Sequence, residues 1–284
     1  MKKRFLGVLL SVAMVAAVLA GCGSSGAKET AAPAGSETEA ASEAASGETE
    51  AAGNTGDVIT VGFSQVGAES DWRTANSESM KSTFSTENGY NLIFDDAQQK
   101  QENQIAAIRN FIQQEVDYIV LAPVTESGWD TVLQEAKDAE IPVIIVDRMV
   151  NVSDDSLYTA WVGSNFKLEG QKACEWLKQY AAAKNMSEVN IVDIQGTIGA
   201  SAQIGRTEGF DEAVEAHDNW NTIAQQSGEF TQAKGQEVME SILKQSGDDI
   251  DVVYCENDNE AFGAIDAIKA AGYEVGGEEG QILV

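Results

Sequence analysis

The chain has 284 residues and a formal net charge of −28, with 46 acidic side chains against 18 basic ones. A surface this acidic repels nucleic-acid phosphates and anionic lipid headgroups, so the composition excludes nucleic-acid binding and electrostatic adsorption to a membrane. His217 is the single histidine and no Cys-x-x-Cys pair is present, which argues against the usual zinc sites and against a histidine-based catalytic triad.

The first 22 residues are typical of an export signal. Lys2, Lys3 and Arg4 precede an apolar run from Phe5 to Leu19. This run is shorter than the roughly 20 residues of a transmembrane helix, so we predict a signal peptide at residues 1–21; an anchor helix that stays in place is the alternative. Leu-Ala-Gly-Cys, ending at Cys22, has the form of a bacterial lipobox. We therefore predict that Cys22 is lipidated and holds the exported protein at the outer face of the cell membrane.

Residues 23–57 consist mainly of Ala, Gly, Ser, Thr and Glu, with one proline and no large apolar side chain. Such a segment cannot bury enough surface to fold. With Cys22 it forms, in our interpretation, a lipidated and disordered acidic linker over residues 22–57.

From Val58 onward, short apolar runs alternate with amphipathic stretches. Ile105, Ile108 and Ile112 fall at helical spacing, whereas Val143–Val146 is a continuous β-branched run. Continuous apolar strands between helices indicate a parallel sheet covered on both faces. The first group of predicted elements has strands at Val58–Phe63, Tyr90–Phe94, Asp117–Leu121 and Pro142–Val146, and helices at Ser70–Asn88, Gln99–Glu115 and Gly128–Ala139.

The polar interval Asn151–Ser156 separates a second group of elements from the first. This group has strands at Tyr158–Val162, Val189–Ile194, Thr222–Gln226 and Asp251–Tyr254, and helices at Lys167–Ala183, Ala202–Ala216, Thr231–Gln245 and Asn259–Ala271. These are too many βα units for one ordinary sheet. We therefore predict an α/β protein with two doubly wound parallel-sheet lobes, residues 58–163 and 164–284, that meet near Gly163 to Asn165. Gln281–Val284 is typical of a strand that has barely begun.

Two cysteines remain after lipidation of Cys22. Cys174 falls in the middle of a predicted helix and Cys255 at the end of a predicted strand. We expect two buried free thiols, with a disulfide between them as the alternative in an exported protein. His217 lies in a polar stretch, so we expect it at a solvated helix end.

Ligands of open parallel sheets bind beyond the carboxyl ends of the strands, where loops and helix N-termini converge. The candidate site residues are therefore those that follow each predicted strand. In the first group they are Glu69, Asp71, Trp72, Arg73, Asp95, Asp96, Thr125, Ser127, Trp129, Asp147 and Arg148. In the second group they are Gln195, Gly196, Thr197, Arg206, Ser227, Glu229, Phe230, Asn257 and Asp258.

This set of side chains suits a sugar. Hydroxyl groups both donate and accept hydrogen bonds, so they need carboxylates and amides beside guanidinium groups. Trp72 and Phe230 add apolar faces for stacking on a sugar ring. We expect Asp147 and Arg148 to bind ligand, because a charged pair that ends an apolar strand is costly if it has no use; a local ion pair between them is the alternative. We expect Trp129 to pack under a loop.

An enzymatic site is the competing interpretation. Two carboxylates across a cleft are the machinery of glycoside hydrolysis. The carboxylates here are each accompanied by arginine or amide, which favours binding in the ionised form, whereas a catalytic acid needs an apolar pocket. The turn Gly196–Ser201 is only loosely similar to a dinucleotide-binding loop and lacks its third glycine. We interpret it as a tight connection between strand and helix.

These residues resemble the sugar-binding proteins of bacterial ABC importers in the ribose/galactose class, and most of all the galactofuranose-binding branch. The resemblance covers Val58 to Val284. Its Asp147-Arg148, Arg206 and Asn257-Asp258 elements are shared across the class. The runs that narrow it to the branch are Phe63-Ser64-Gln65-Val66-Gly67 and Gln101-Glu102-Asn103-Gln104.

The resemblance implies the type I periplasmic binding protein fold, with no cofactor, and a monosaccharide ligand handed to an ABC permease by a monomeric receptor. Members of the class continue past the position of Val284 into a further ligand loop and back to the first lobe. We therefore expect the second lobe and the return to the first lobe to be incomplete, an unfinished first-lobe sheet, and weak sugar binding. The implied ligand-binding residues are Glu69, Trp72, Arg73, Asp147, Arg148, Arg206, Phe230, Asn257 and Asp258.

Two other functions stay open. A sensory receptor of the same fold, which reports a sugar or signal molecule, has no feature in this chain that separates it from a transport receptor. A secreted glycoside-processing enzyme is the third candidate. A sugar-responsive repressor shares the fold, but the export signal and the lack of a helix-turn-helix exclude it.

Overall fold

The computed structural model describes residues 58–284, and the predicted signal peptide, Cys22 and the linker lie outside this range. Over the described range no helix combines the length and apolar character needed to cross a bilayer. Strands and helices alternate along the chain. The elements are β1 Ile59–Gln65, α1 Asp71–Thr83, β2 Tyr90–Asp96, α2 Gln101–Gln113, β3 Tyr118–Leu121, α3 Asp130–Asp138, β4 Val143–Val146, β5 Ala160–Val162, α4 Phe166–Lys184, β6 Val189–Gln195, α5 Ser201–Glu215, β7 Trp220–Ser227, α6 Gln232–Ser246, β8 Val252–Cys255 and α7 Asp258–Ala270.

The first sheet has five parallel strands in the order β2-β1-β3-β4-β5. Successive side chains along its strands point alternately into two apolar layers, one on each face of the sheet. Ile119, Leu121 and Ile145 pack against α2 and α3 in one layer, and Val61 and Phe63 belong to the other. Burial on both faces explains why these strands are continuous apolar runs.

The second sheet has three parallel strands in the order β7-β6-β8. Val192 and Ile194 of β6 face the residues of α6 and α7, while Ile191 faces Cys174 and Phe210 of α4 and α5. At the end of the chain, the Val253 amide donates to the Leu283 carbonyl at 2.7 Å, so this segment begins to pair alongside β8. The predicted fold class, α/β with two parallel sheets, is confirmed; the division into lobes at residue 163 stays a prediction.

The predicted boundaries agree with the structure to within two residues except at α1. The helix predicted to run to Asn88 ends at Thr83, and a separate 3₁₀ turn covers Thr86–Asn88. The Asn88 side chain donates to the carbonyls of Ser82 and Thr83, both at 3.0 Å. Serine and threonine side chains in this stretch also favour hydrogen bonds to nearby backbone groups, which compete with the hydrogen bonds of a continuing helix.

The strand predicted at Tyr158–Val162 falls within the predicted first lobe, residues 58–163, but its grouping with the second set of elements was wrong. β5 pairs with β4 in the first sheet, Val162 opposite Val146, although the sequence pattern assigns it to the second group. Leu157, which directly follows the polar interval that suggested a break, is buried in the apolar core of the first sheet. The burial of Leu157 holds the segment between β4 and β5 against the first sheet, so that β5 pairs there.

Cys174 in α4 and Cys255 at the end of β8 are both free thiols within residues 58–284, as predicted, but only Cys174 is buried and Cys255 is half-buried. The turn between β6 and α5 is also as predicted, because Gly199 has a φ of 87°, a conformation that glycine adopts without strain.

Asp193 is a fully buried carboxylate within β6. Gln225 donates to its Oδ2 at 3.0 Å, but its Oδ1 has no partner among the described residues. Burial, with a further contribution from Asp211, raises the pKa of Asp193 from 3.8 to about 7. Asp193 therefore holds its proton more tightly in the folded than in the unfolded protein, and its contribution to stability is lost as the pH rises from about 4 to about 7.

We predict that Asp193→Asn stabilises the protein increasingly with pH. The amide mimics the protonated carboxyl, so the gain in unfolding free energy over the parent should grow by on the order of 2 kcal/mol between pH 5 and pH 8. Urea denaturation at the two pH values measures it, with the exposed Asp218→Asn as control. A gain that stays constant over this range would show that Asp193 ionises normally in the fold.

Candidate functional site

A cavity of about 710 Å³ lies where the carboxyl ends of strands from the two sheets face each other; we call it the cleft. First-sheet residues that follow β1 and β4 form one wall. The other wall comes from α4, α5 and the segments that follow β7 and β8. All nine predicted ligand-binding residues line the cleft: Glu69, Trp72, Arg73, Asp147, Arg148, Arg206, Phe230, Asn257 and Asp258.

Arg73 organises the first wall. It sits in the first turn of α1, whose N-cap Ser70 accepts from the Arg73 amide at 3.2 Å. Its guanidinium is almost wholly buried and binds Glu69 Oε1 at 2.9 Å and Asp147 Oδ2 at 2.8 Å. Arg73 therefore joins the segment after β1 to the end of β4.

Asp147 and Arg148 do not form the local ion pair that was the alternative interpretation. Asp147 has a φ of 62°, its amide donates to the Val162 carbonyl at 2.8 Å, and its carboxylate turns to Arg73. Arg148 donates to the Val124 carbonyl at 3.0 Å and to Glu69 at 3.4 Å. The positive φ is what sends the two neighbouring side chains to different partners.

The Arg148 guanidinium is buried in this network. Burial, and then repulsion from Arg73, lower the pKa of Arg148 to about 10, while Glu69 and Asp147 oppose that change. Arg148 stays protonated at neutral pH. Two buried atoms of the network, Glu69 Oε2 and Arg73 Nη1, have no hydrogen-bond partner among residues 58–284.

The second wall carries Arg206 on α5. Its guanidinium binds Glu169 of α4 at 3.0 Å and lies over the ring of Phe166, 5.1 Å from the centroid. The Phe230 ring is buried, with the Arg148 guanidinium 5.0 Å and the Arg206 guanidinium 6.0 Å from its centroid. The two walls therefore meet at Phe230.

Asn257 lines the cleft and also fixes the start of α7 and the Phe230 backbone. Its Oδ1 caps α7 by accepting from the Glu260 amide at 2.8 Å, and its Nδ2 donates to the Phe230 carbonyl at 2.9 Å. Asp258 is exposed at the start of α7. Asn259 links the walls, because its Oδ1 accepts from the Asp71 amide at 3.1 Å.

Glu256 and Glu260, on either side of this motif, are buried carboxyls that the sequence analysis missed. Glu256 accepts from the Gly196 amide at 2.7 Å and from the Thr207 hydroxyl at 2.6 Å. Burial is the main cause that raises the pKa of each carboxyl to about 8. Their closeness to Asn257-Asp258 is the only signal in the sequence. Phe166, Glu169 and Asn259 were also missed.

Several candidates lie elsewhere. Trp129 is fully buried and donates to the Thr125 carbonyl at 2.8 Å, which confirms its predicted packing role. Asp95 and Asp96 are the last residues of β2, not part of a loop after it, and line a separate cavity. Other candidates outside the cleft lining are Ser127, Gln195, Gly196, Thr197, Ser227 and Glu229. In residues 58–284 no cluster of three His, Cys, Asp or Glu side chains is arranged to hold a metal ion.

Comparison with known proteins shows which family this chain matches. Residues 61–282 match the periplasmic binding protein domain. The chain is 49% identical over 220 residues to the galactofuranose-binding protein YtfQ of Escherichia coli, covering 77% of this chain and 68% of that protein.

Two solved structures are similar to the same extent in sequence. A Mycobacterium smegmatis protein in complex with β-D-fucofuranose has 49% identity and a TM-score of 0.73, covering 77% of this chain and 71% of that one. The binding protein of the arabinose ABC transporter from Shewanella sp. ANA-3, bound to α- and β-L-arabinofuranose, has 49% identity and a TM-score of 0.71, covering 75% and 70%.

We predict that Arg73→Met lowers the unfolding free energy by about 3 kcal/mol, because it leaves buried carboxylates without their main partner. Arg109→Met is the matched control: Arg109 binds Glu135 through two contacts of 2.7 and 2.8 Å, but the side chains are 49% and 37% exposed. Its loss should cost less than about 1 kcal/mol. Urea denaturation at pH 7 measures the unfolding free energy of both variants. Equal losses would contradict the claim that the buried ion pairs of Arg73 stabilise the fold more than an exposed ion pair does.

Proposed function

The chain belongs to the periplasmic binding protein family, and from that premise we propose that it is an exported receptor that captures a monosaccharide in the cleft and delivers it to an ABC permease. The observation that carries this proposal is a pair of buried atoms that have no hydrogen-bond partner within residues 58–284, Glu69 Oε2 and Arg73 Nη1. An unpaired buried polar group costs roughly 1–3 kcal/mol. A ligand hydroxyl, which both donates and accepts, would satisfy such atoms.

The charge balance of the cleft supports a neutral ligand. Arg73 is shared by Glu69 and Asp147, Arg148 by Glu69, and Arg206 by Glu169. Each guanidinium therefore already has a carboxylate, and Asp71 and Asp258 add negative charge to the lining. A phosphorylated or acidic sugar would meet repulsion without a spare cation, whereas an uncharged sugar would use the donors and acceptors as they stand.

The aromatic side chains support a ring with apolar faces. Trp72 is 56% exposed in the first wall, although tryptophan is mostly buried in proteins. Phe230 faces the cleft from the second wall. Covering the Trp72 indole with a sugar face would remove apolar surface from water and fix the orientation of the ring.

The furanose form is our choice of ligand, with galactofuranose or a similar pentose or hexose as the specific sugar. The support is the similarity to three proteins named for, or bound to, furanose sugars. A five-membered ring with an exocyclic chain offers fewer flat faces than a pyranose and more freely placed hydroxyls. This suits a cleft with many charged side chains and the two exposed indoles of Trp72 and Trp176.

We propose that the protein binds without turnover. Glu256 is the cleft-lining carboxyl with a raised pKa, as a general acid requires. Both of its oxygens are occupied, however, by the Gly196 amide and the Thr207 hydroxyl, and its side chain is buried. Glu69, Asp147 and Glu169 are each ion-paired with an arginine, which suits binding in the ionised state.

We predict that the purified protein selects the furanose form of D-galactose. In NMR spectra of ¹³C-labelled D-galactose, a small amount of protein should broaden the minor furanose anomeric signals and leave the pyranose signals sharp. This measurement detects weak binding, and weak sugar binding is what we expect from the sequence. Broadening of pyranose signals alone would overturn the furanose assignment, and no broadening with galactose, fucose or arabinose would overturn the sugar-receptor proposal.

We further propose that Cys22 carries the lipid anchor, because the lipobox ends at this residue. Expression in a bacterium with labelled palmitate should label the parent protein, and Cys22→Ser should lose the label. Cys174→Ser, which removes a buried thiol, is the control that keeps it. Labelling of the Cys22→Ser variant would place the lipid elsewhere.

A further inference from the structure

The segment that carries Phe230 has an unusual backbone. Glu229 and Phe230 have φ values of 57° and 61°, although neither is glycine. Two consecutive residues in the left-handed region are strained, and such a conformation persists only where surrounding contacts over-determine it. Gln98 and Gln99 form another consecutive pair of this kind, but only the pair at Glu229 and Phe230 includes a residue that lines the cleft. The contacts that hold this pair therefore bear on the ligand wall.

Both main-chain groups of Phe230 are held by the start of α7. The Phe230 amide donates to Glu260 Oε1 at 2.8 Å, and its carbonyl accepts from Asn257 Nδ2 at 2.9 Å. Asn257 is in turn tied to Glu260, whose amide donates to its Oδ1 at 2.8 Å. Glu260 and Asn257 thus form one clamp around the Phe230 backbone.

The Phe230 ring is also fixed in position. The end of the ring lies against Gly196, where a β-carbon would collide with the ring itself. On its other sides are the guanidinium groups of Arg148 and Arg206. A shift of the Phe230 backbone would therefore displace the ring from Gly196 and from both guanidinium groups.

Glu260 is placed at some cost to the fold. Its exposure is 0%, and its Oε2 has no partner among the described residues. Gly228 and Gly235 make room for it, since a β-carbon at either position would lie within 3 Å of Glu260 atoms. Burying a carboxyl without satisfying both oxygens is unfavourable, and the contact it makes in return is the one with Phe230.

We propose that Glu260 is a positioning residue of the cleft: its Oε1 fixes the Phe230 main chain and, through it, the ring that forms part of the ligand wall. This inference rests on the proposed sugar-binding function. Glu260 lines no part of the cleft itself, so its effect on ligand passes through Phe230.

The test is a double-mutant cycle on the purified protein, with D-galactose affinity measured by tryptophan fluorescence. Glu260→Met keeps the side-chain volume and removes the acceptor, and it should weaken binding by about tenfold. Glu260→Gln keeps an acceptor oxygen and should recover most of the affinity. In a Phe230→Ala background, adding Glu260→Met should weaken binding by less than about twofold, because the residue through which it acts is gone.

Each outcome separates the two proposals. If the parent protein binds no sugar, the proposed function fails. If the parent binds and Glu260→Met binds equally well, or weakens binding as much in the Phe230→Ala background, the positioning role fails. Circular dichroism monitors folding; should Glu260→Met not fold, Glu260→Asp, which withdraws the acceptor by one methylene, takes its place in the cycle with an expected loss of about threefold.

Discussion

The cleft depends on one buried group of charges, in which Arg73 and Arg148 share the carboxylates of Glu69 and Asp147. Charges removed from water are tolerable only when each finds a partner, and losing one partner leaves the other exposed to the full cost of burial. The group therefore fixes the end of β4, the start of α1 and the segment between β1 and α1 relative to one another. It also leaves two polar atoms, Glu69 Oε2 and Arg73 Nη1, without partners in the part of the chain that the structure describes, and a ligand could supply those partners.

The second wall is built by a different means. Besides the ion pair of Arg206 with Glu169, this wall has backbone groups that are held by side chains at the end of β8 and the start of α7. Glu256 holds Gly196, and Glu260 with Asn257 holds Phe230. Burial raises the pKa of both glutamates to about 8, so at neutral pH they act mainly as uncharged hydrogen-bonding groups. The two walls thus combine a charged, rigid face with a face of fixed loops, and together they present donors, acceptors and an exposed indole without a net positive charge.

The sequence was sufficient for the bounds of the strands, which follow from local rules. It was also sufficient for the nine cleft residues, which the family resemblance selected from the larger set of residues that follow those strands. Runs such as Val143–Val146 are continuous only in a sheet buried on both faces, and polar residues after such strands converge at one edge. What local rules could not predict depends on contacts between distant segments. The early end of α1 comes from the Asn88 side chain, which binds the carbonyls of the last helical turn. The position of β5 comes from Leu157, which is buried in the core of the first sheet. Glu260 is indistinguishable in sequence from a solvated residue in the first turn of a helix; only the fold brings it to Phe230.

The central claim is that the unpaired atoms of the first wall and the aromatic faces of both walls together hold one sugar ring. A crystal structure of the protein grown with D-galactose tests it most directly. We predict density for a single furanose ring against Trp72 and Phe230, with hydroxyl groups within hydrogen-bond distance of Glu69 Oε2 and Arg73 Nη1. A sugar bound away from these atoms, or a cleft that holds only water at saturating galactose, would contradict the account.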